Sequence, residues 1–325
     1  MRILVTGGTG FIGSHLVEAL QGDIVCLVRK TADTRHLQNL GVELVYGDLQ
    51  DPYSLKQAVK DVDIVYHLGA YYTFHGIWDK YYAVNVLGTQ HLLQACDNVD
   101  QFIYCSSSEV TGPVINPPAD ETYPCHPTYE YGISKLMAEE AVRKKMNEQD
   151  FPATIIRPVG VYGPRCIDDV AYYFMINLAK KSLFTRFIAG SGENRIHFVY
   201  VKDVVQGFVK AQTPQALGET YFIASERALT YNEAYETICT LLGISPPHLH
   251  IPASAAKTAI APLEMLYKIM RKDDFMAHVS TVEVTQTDRD YSWKKAHDHL
   301  GYTPEYSFEK GAQITLDWYK TQGYL

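Results

Sequence analysis

Thr6-Gly7-Gly8-Thr9-Gly10-Phe11-Ile12-Gly13 is the stretch whose reading decides the fold. It follows the apolar run Ile3-Leu4-Val5 and leads into the helical pattern Ser14–Leu20. A G-x-x-G-x-x-G spacing between a strand and a helix gives each glycine a task. Gly7 makes the tight turn, Gly10 lets the backbone approach a pyrophosphate, and Gly13 lets the helix pack close to the strand. The phosphates then sit at the helix start, beside Phe11 and Ile12, where free N–H groups and the helix dipole favour anions.

Working outward, the first 160 residues alternate short apolar runs with amphipathic stretches. Ile3–Thr6, Ile24–Val28, Leu44–Tyr46, Ile64–His67, Phe102–Cys105 and Thr154–Arg157 read as strands. Ser14–Leu20, Tyr53–Val59, Tyr81–Cys96 and Tyr131–Glu148 read as helices. Strands that are apolar on both faces and alternate with helices imply an α/β fold, a doubly wound parallel sheet of the Rossmann kind. Past Pro158 the alternation weakens and Pro and Gly punctuate more often. Phe198–Val201 and Asp203–Ala211 form one further strand and helix. The expected division is a dinucleotide-binding domain, 1–158 with 196–212 returning to it, and a smaller, mixed substrate-binding lobe, 159–195 and 213–325. That lobe should cover the carboxyl edge of the sheet, where open α/β folds bind ligands.

Composition narrows the function. With 325 residues, 46% hydrophobic and 20% charged, the chain reads as an ordinary globular protein. Its net charge of −8 argues against a general nucleic-acid binder. No charge-free apolar run reaches the roughly 20 residues of a membrane span, so no membrane partner is expected. Six cysteines at 26, 96, 105, 125, 166 and 239 form no CxxC and no ligand spacing. His248 and His250 lie two apart with nothing to complete a set, so neither a disulfide framework nor a metal is expected. Met1-Arg2 runs straight into a strand without a signal peptide pattern, and the expectation is a cytoplasmic protein with a small-molecule substrate. Tyrosines number 24, twice the 12 phenylalanines, which suits a pocket for ligands part polar and part apolar.

The second strand ends Leu27-Val28-Arg29-Lys30, without the acid that would accept from a ribose 2′-hydroxyl of NAD. Arg29 and Lys30 suit the 2′-phosphate of NADP, which Arg can grip in a fork; solvated cations at a strand end would look the same. NADP is therefore favoured over NAD. Asp48, in Gly47-Asp48-Leu49, can accept from an adenine amino group. Leu68-Gly69-Ala70 can approach pyrophosphate and ribose without a side-chain clash.

Tyr131-Gly132-Ile133-Ser134-Lys135 sets a phenol and an ammonium on one helix face. A free phenol ionises near pH 10, and an adjacent cation stabilises its phenolate, so Tyr131 can exchange a proton with a substrate oxygen. Lys135 can also hold the nicotinamide ribose. Tyr129 has no lysine at that offset and reads as a pocket or packing residue. Ser106-Ser107-Ser108-Glu109 follows the fifth strand, where hydroxyls can donate to a substrate oxygen or simply shape a turn.

Taken together, these motifs resemble the extended short-chain dehydrogenase/reductases, which include sugar-nucleotide epimerases and dehydratases. The resemblance runs from TGGTGFIG through the GDL turn, Asn85-Val86-Leu87-Gly88-Thr89, the serine loop, YGISK and Arg157–Pro164, then FVYVKDV at 198–204 and Leu300–Pro304. It implies a Ser107, Tyr131, Lys135 catalytic set, hydride transfer to or from NAD(P), and action on a hydroxyl or carbonyl, most plainly of a nucleotide sugar. It also implies that Glu109 acts as a further acid/base, a position that a solvated loop carboxylate would fill equally well. Gly160 stands where sugar-nucleotide members usually carry asparagine, and the second strand lacks its acid. Both departures look more like the 3β-hydroxysteroid dehydrogenase and dihydroflavonol reductase branches, which implies as the alternative an NADPH-dependent carbonyl reductase or alcohol dehydrogenase for a hydrophobic substrate. A cofactor-sensing regulator on the same fold is disfavoured because Ser, Tyr and Lys are all present.

The aromatic run Tyr71-Tyr72-Thr73-Phe74-His75-Gly76-Ile77-Trp78 suits either an apolar substrate or lobe packing. Asn85 either positions the site or starts a helix, and Arg195 either holds an anion or lies in an exposed loop. In the resembled family the two long helices pair across a two-fold axis. The faces Val84, Leu87, His91, Gln94 and Lys135, Glu139, Val142 give the same expectation of a homodimer here.

Overall fold

Ile3, Leu4 and Val5 are fully buried in β1 (Arg2–Thr6), as a run apolar on both faces requires. In the computed structural model, which describes residues 1–73, 77–182, 185–270 and 279–325, this strand lies inside a seven-stranded parallel sheet. Its next strands are β2 (Asp23–Val28), β3 (Glu43–Tyr46), β4 (Ile64–His67), β5 (Gln101–Cys105) and β6 (Ala153–Pro158). With the short β7 (Gly160–Tyr162), β8 (Phe198–Tyr200) and then β9 (Thr220–Ile223), the main sheet has the order β9-β6-β5-β4-β1-β2-β3. The order reverses between β1 and β4, and that reversal opens a crevice at their carboxyl ends.

The seventh strand corrects one expectation. β8, in the segment expected to rejoin the sheet, pairs instead with β7, outside the main sheet. The helix that follows it, Val201–Lys210, packs against the helix Phe11–Ala19 beside the sheet. The strand that completes the sheet is β9, from within 213–325, paired parallel to β6 from Thr220↔Ile155 to Ile223↔Pro158. The cause is packing: Thr220-Tyr221-Phe222-Ile223 is buried throughout, while β6 ends in Pro158 and the chain steps out of the sheet into β7.

The helices used below are α1 (Phe11–Ala19), α2 (Gly88–Ala95), α3 (Glu130–Gln149), α4 (Val170–Ala179), α5 (Val201–Lys210), α6 (Tyr231–Leu242) and α7 (Ala253–Met270). α5 buries Val201, Val204, Val205 and Phe208, and Tyr66 of β4 donates to the Phe208 carbonyl at 3.2 Å. α6 starts on a capping box in which Thr230 and Glu233 satisfy one another's backbone N–H groups. The stretch read as one helix, Tyr81–Cys96, is a short helix (Trp78–Tyr81), a π turn (Tyr82–Leu87) and then α2. The wider turn seats Asn85 inside the molecule, where its side chain bonds Tyr71 N and O and the Ser134 hydroxyl on α3. Asn85 thus both belongs to the helix and ties the loop after β4 to the helix carrying Tyr131.

Candidate active site

The cofactor end is built from backbone. Gly7 has φ of +76°, a left-handed conformation that glycine adopts without strain, and it accepts from the Gly10 N–H at 2.9 Å. A Cβ on Gly13 would stand 2.1 Å from the Gly7 carbonyl, so only glycine lets α1 come this close. A Cβ on Gly10 would meet only that carbonyl, at 3.2 Å, leaving open space in front of the helix start. No side chain caps α1, so its first N–H groups are available to an anion. Opposite, Gly69 N donates to the Thr6 hydroxyl at 3.1 Å and Leu68 N to the Thr6 carbonyl at 3.1 Å, which brings Leu68-Gly69-Ala70 beside the glycine loop. His67 beneath them is buried and bonded on both ring nitrogens, to Thr6 and Thr89, and burial lowers its pKa to about 3. Arg29 and Lys30 are exposed at the end of β2. Asp48 is half-buried and accepts from Gln50 N at 2.9 Å, with Leu49 buried behind it. The cradle fits a dinucleotide.

The chemical end is built from side chains. β5 delivers Ser107 and α3 delivers Tyr131 and Lys135 to the same carboxyl edge. Ser107 caps a short 3-10 turn by accepting from Glu109 N at 3.2 Å. Lys135 is buried, lies over the Tyr104 ring at 4.4 Å and donates to the Cys105 carbonyl at 2.5 Å. Burial lowers its pKa to about 8. Tyr131 is pushed well above the ordinary phenol range, first by burial and then by Cys105, Asp169 and Glu109; the Ser107 hydroxyl pulls the other way. This differs from the sequence expectation of a phenol lowered by lysine. Burial disfavours the phenolate, and the ammonium donates to the Cys105 carbonyl, so the phenol is held protonated.

Glu109 is half-buried and paired rather than free. Its carboxylate pairs with Arg289 at 2.7 Å, and Arg289 is 5% exposed. Tyr129 bonds to the same carboxylate, and Tyr231 and Tyr291 surround the guanidinium. The pair joins the serine loop to a segment 180 residues later. Behind it, Ser106 donates to Glu139, which Arg157 grips through Nε and Nη2. Glu139 is held below the usual carboxylate range by that guanidinium, although burial opposes the shift.

Three residues escaped the sequence reading. Arg289 and Tyr231 come from stretches without a motif, and nothing but tertiary contact marks them. Asp169 caps α4, accepting from Val170 N at 2.6 Å and from the Tyr72 hydroxyl at 3.1 Å, and burial raises its pKa to about 6. An Asp before an apolar helical run is a cap signal, which was legible; its proximity to Tyr131 was not. Tyr72 packs edge-on against Tyr131, with ring centroids 4.8 Å apart. Of the aromatic run, Tyr71, Tyr72 and Trp78 are placed, while Phe74, His75 and Gly76 lie outside the described residues. Arg195 pairs with Asp290 at 2.9 Å and lines a separate cleft of about 660 Å³ with His197, Arg227 and Trp293. No member of the Ser107, Tyr131, Lys135 set is among that cleft's described lining residues. A small apolar cavity lies elsewhere in the lobe, bounded by Phe187, Ile188, Tyr235, Ile260 and Val282, with Tyr231 between it and the Glu109–Arg289 pair.

A parallel sheet with this switch point, a glycine cradle and a Ser, Tyr, Lys edge defines a class of dinucleotide-linked enzymes. Residues 3–224 match the model of the NAD dependent epimerase/dehydratase family, and the chain belongs to that family, within the extended short-chain dehydrogenase/reductases. It is 31% identical to a sterol-4-alpha-carboxylate 3-dehydrogenase, decarboxylating, of Bos taurus, over 77% of this chain and 72% of the relative. It is 26% identical to 3beta-hydroxysteroid-dehydrogenase/decarboxylase isoform 2 of Arabidopsis thaliana over 97% of this chain, which spans 61% of that relative's length. The structure of a UDP-glucuronic acid 4-epimerase from Bacillus cereus in complex with NAD superposes with a TM-score of 0.79 at 25% identity, covering 100% of both chains.

Proposed function

We propose that this chain is an NAD(P)-linked hydride-transfer enzyme that interconverts a secondary hydroxyl and a carbonyl on a substrate with an apolar body. The observation that carries the chemistry is the meeting of Ser107, Tyr131 and Lys135 at the sheet edge beside the glycine cradle. The dinucleotide, when bound between α1 and Leu68-Gly69-Ala70, supplies or takes up the hydride. Ser107 holds the reacting oxygen, Tyr131 gives it a proton or removes one, and Lys135 would hold the nicotinamide ribose and ease formation of the phenolate. The apolar body is supported by the 31% identity to the sterol-4-alpha-carboxylate 3-dehydrogenase, decarboxylating, of Bos taurus, and by Gly160 standing where sugar-nucleotide members usually carry asparagine. A sugar-nucleotide epimerase or dehydratase is the second reading, favoured by the family match and by the likeness to the Bacillus cereus enzyme.

Absorbance at 340 nm separates the two. With NADPH and a panel of hydrophobic ketones, the first reading expects stoichiometric loss of reduced cofactor. UDP- and dTDP-sugars converted without any net change would establish the second.

Arg29 and Lys30 support NADP over NAD, with Asp48 on the adenine. The Arg29→Ala variant should weaken NADPH about tenfold, the worth of a charge-assisted hydrogen bond, and leave NADH unchanged. Equal affinity of the intact protein for both cofactors would remove the preference.

A homodimer remains the proposed assembly, although one expected face has to be redrawn. Lys135, Glu139 and Val142 are buried within their own chain, bonded to Cys105, Arg157 and the core, so they do not face a partner. The outward side of α3 carries Ile133, 38% exposed, and the half-buried Met137. Together with Val84, Leu87 and His91 these form the candidate two-fold face, and light scattering at micromolar concentration distinguishes a dimer from a 36.7 kDa monomer. The unpaired state of all six cysteines suits a reducing, cytoplasmic setting.

A further inference from the structure

We propose that Arg289 and Tyr231 form a carboxylate subsite beside the serine loop, so that the substrate carries an acid group in addition to the hydroxyl or carbonyl at which hydride is exchanged. The inference deepens the hydride-transfer reading and rests on it for the place of the reacting carbon. The subsite itself follows from two buried donors that have nothing to bond.

Both residues flank one short strand. Arg195-Ile196 pairs antiparallel with Leu229-Thr230 on one side and bridges to Arg289 on the other. Tyr231 N donates to the Asn194 carbonyl at 3.2 Å, and Arg289 N to the Arg195 carbonyl at 2.8 Å. Arg289 is 5% exposed and Tyr231 8%. Nη1 of Arg289 donates to Glu109 at 2.7 Å, while Nε is buried and has no partner among the described residues. The Tyr231 hydroxyl is likewise buried without a partner. The neighbouring Tyr291 hydroxyl is different, since it reaches the Ser108 and Gly112 carbonyls at 3.5 Å. Glu109 N donates to the Ser107 hydroxyl at 3.2 Å, and the Glu109 side chain keeps 23% of its surface exposed. The ion pair therefore borders open space next to the residue that holds the reacting oxygen.

A buried donor without an acceptor bears the full cost of its lost hydration, and two in one place mark a site that a ligand completes. Both groups are donors, so the missing partner is an acceptor. A guanidinium presents Nε–H and the adjacent Nη2–H as a planar fork that matches the two oxygens of a carboxylate. Glu109 is bonded at the other corner, through Nη1, so the guanidinium stands between the two acids. The Tyr231 hydroxyl supplies a further donor to the same group. A neutral carbonyl, with one oxygen, leaves part of this set unused.

The test uses the full chain with saturating NADP and reads the binding of octanoate and of its neutral analogue octanamide by isothermal titration calorimetry. Octanoate should bind at least about tenfold more tightly, the scale of a charge-assisted hydrogen bond. Arg289→Lys keeps a cation for Glu109 and loses the Nε edge, whereas Tyr231→Phe loses only the hydroxyl. Octanoate should weaken about tenfold in the first and about fivefold in the second, with octanamide moving less than about twofold in either. The ligand-free Tyr231→Phe chain should also melt about 2 °C higher, because it no longer buries an unsatisfied hydroxyl. Octanamide binding as tightly as octanoate overturns the proposal, as does failure of octanoate to bind or an unchanged octanoate affinity in either variant. A Tyr231→Phe chain that melts lower than the intact one overturns it too, since the hydroxyl would then already have a partner. The titration needs no turnover, so failure of the hydride-transfer reading appears separately, as a Tyr131→Phe variant with undiminished activity.

Discussion

The two ends of the carboxyl edge solve recognition in opposite ways. Between β1 and β4 the surface is backbone: uncapped N–H groups of α1, a left-handed Gly7, and a Gly69 bonded to Thr6. Beyond β5 it is side chain: Ser107, Tyr131, Lys135, the Glu109–Arg289 pair and Asp169, mostly removed from water and coupled to one another. A backbone cradle tolerates no added atoms but is indifferent to pH. A buried ionisable cluster tolerates changes of shape better than changes of charge. Lost methylenes and lost charges should therefore hurt the two ends differently.

The largest effect belongs to the chemical end. Tyr131→Phe should lower turnover by at least about a hundredfold, the scale of lost acid–base catalysis, while dinucleotide affinity by fluorescence titration stays near that of the intact protein. Turnover within tenfold would take Tyr131 out of the mechanism and blur the contrast. The mirror experiment is Gly10→Val. Its Cβ meets little beyond the Gly7 carbonyl, so the fold should hold, yet the side chain occupies the space before α1. Dinucleotide affinity should fall by about a hundredfold, close to 3 kcal/mol. Affinity within threefold would mean that the cradle is not where the phosphates sit.

Smaller effects probe the coupling. Arg289→Met leaves Glu109 without its partner in a largely buried site and should cost roughly 3 kcal/mol in urea unfolding. Adding Glu109→Gln should recover part of that loss; a purely additive second loss would show that the pair is not one unit. The smallest effect is a pH dependence. Burial raises Asp169 to about 6 from an ordinary carboxyl value, so the folded chain holds this proton more tightly than the unfolded one. Its contribution to stability is present below the unfolded carboxyl range and is lost as pH rises through about 6. Asp169→Asn should therefore flatten the melting curve against pH between about 4 and 6 and raise Tm at pH 7.5 by roughly 2 °C. A variant less stable than the intact protein at pH 7.5 would contradict the sign.

Local pattern carried much of this. The six strands read from apolar runs all form, with ends shifted by no more than a residue; the inner ones do so because a strand buried on both faces must be continuously apolar, while β3 lies half-buried at the edge. The glycine loop and the Tyr–Lys spacing are likewise short-range features whose consequences follow from covalent geometry. β9 was missed as part of the sheet because its apolar run lies past the point where alternation fails, and only its pairing with β6 reveals it. The π turn was missed because one extra residue per turn leaves the apolar spacing of a helix nearly unchanged.

The sequence by itself determined the doubly wound sheet, the dinucleotide cradle and the residue types able to exchange a proton. These depend on residues near one another along the chain. Tertiary structure alone decided how the groups are charged and restrained. Glu109 meets Arg289 across 180 residues, Asp169 reaches Tyr131 through Tyr72, and Lys135 turns to a backbone carbonyl. Electrostatic coupling depends on distance through space and on the exclusion of water, and neither is written in the order of the residues.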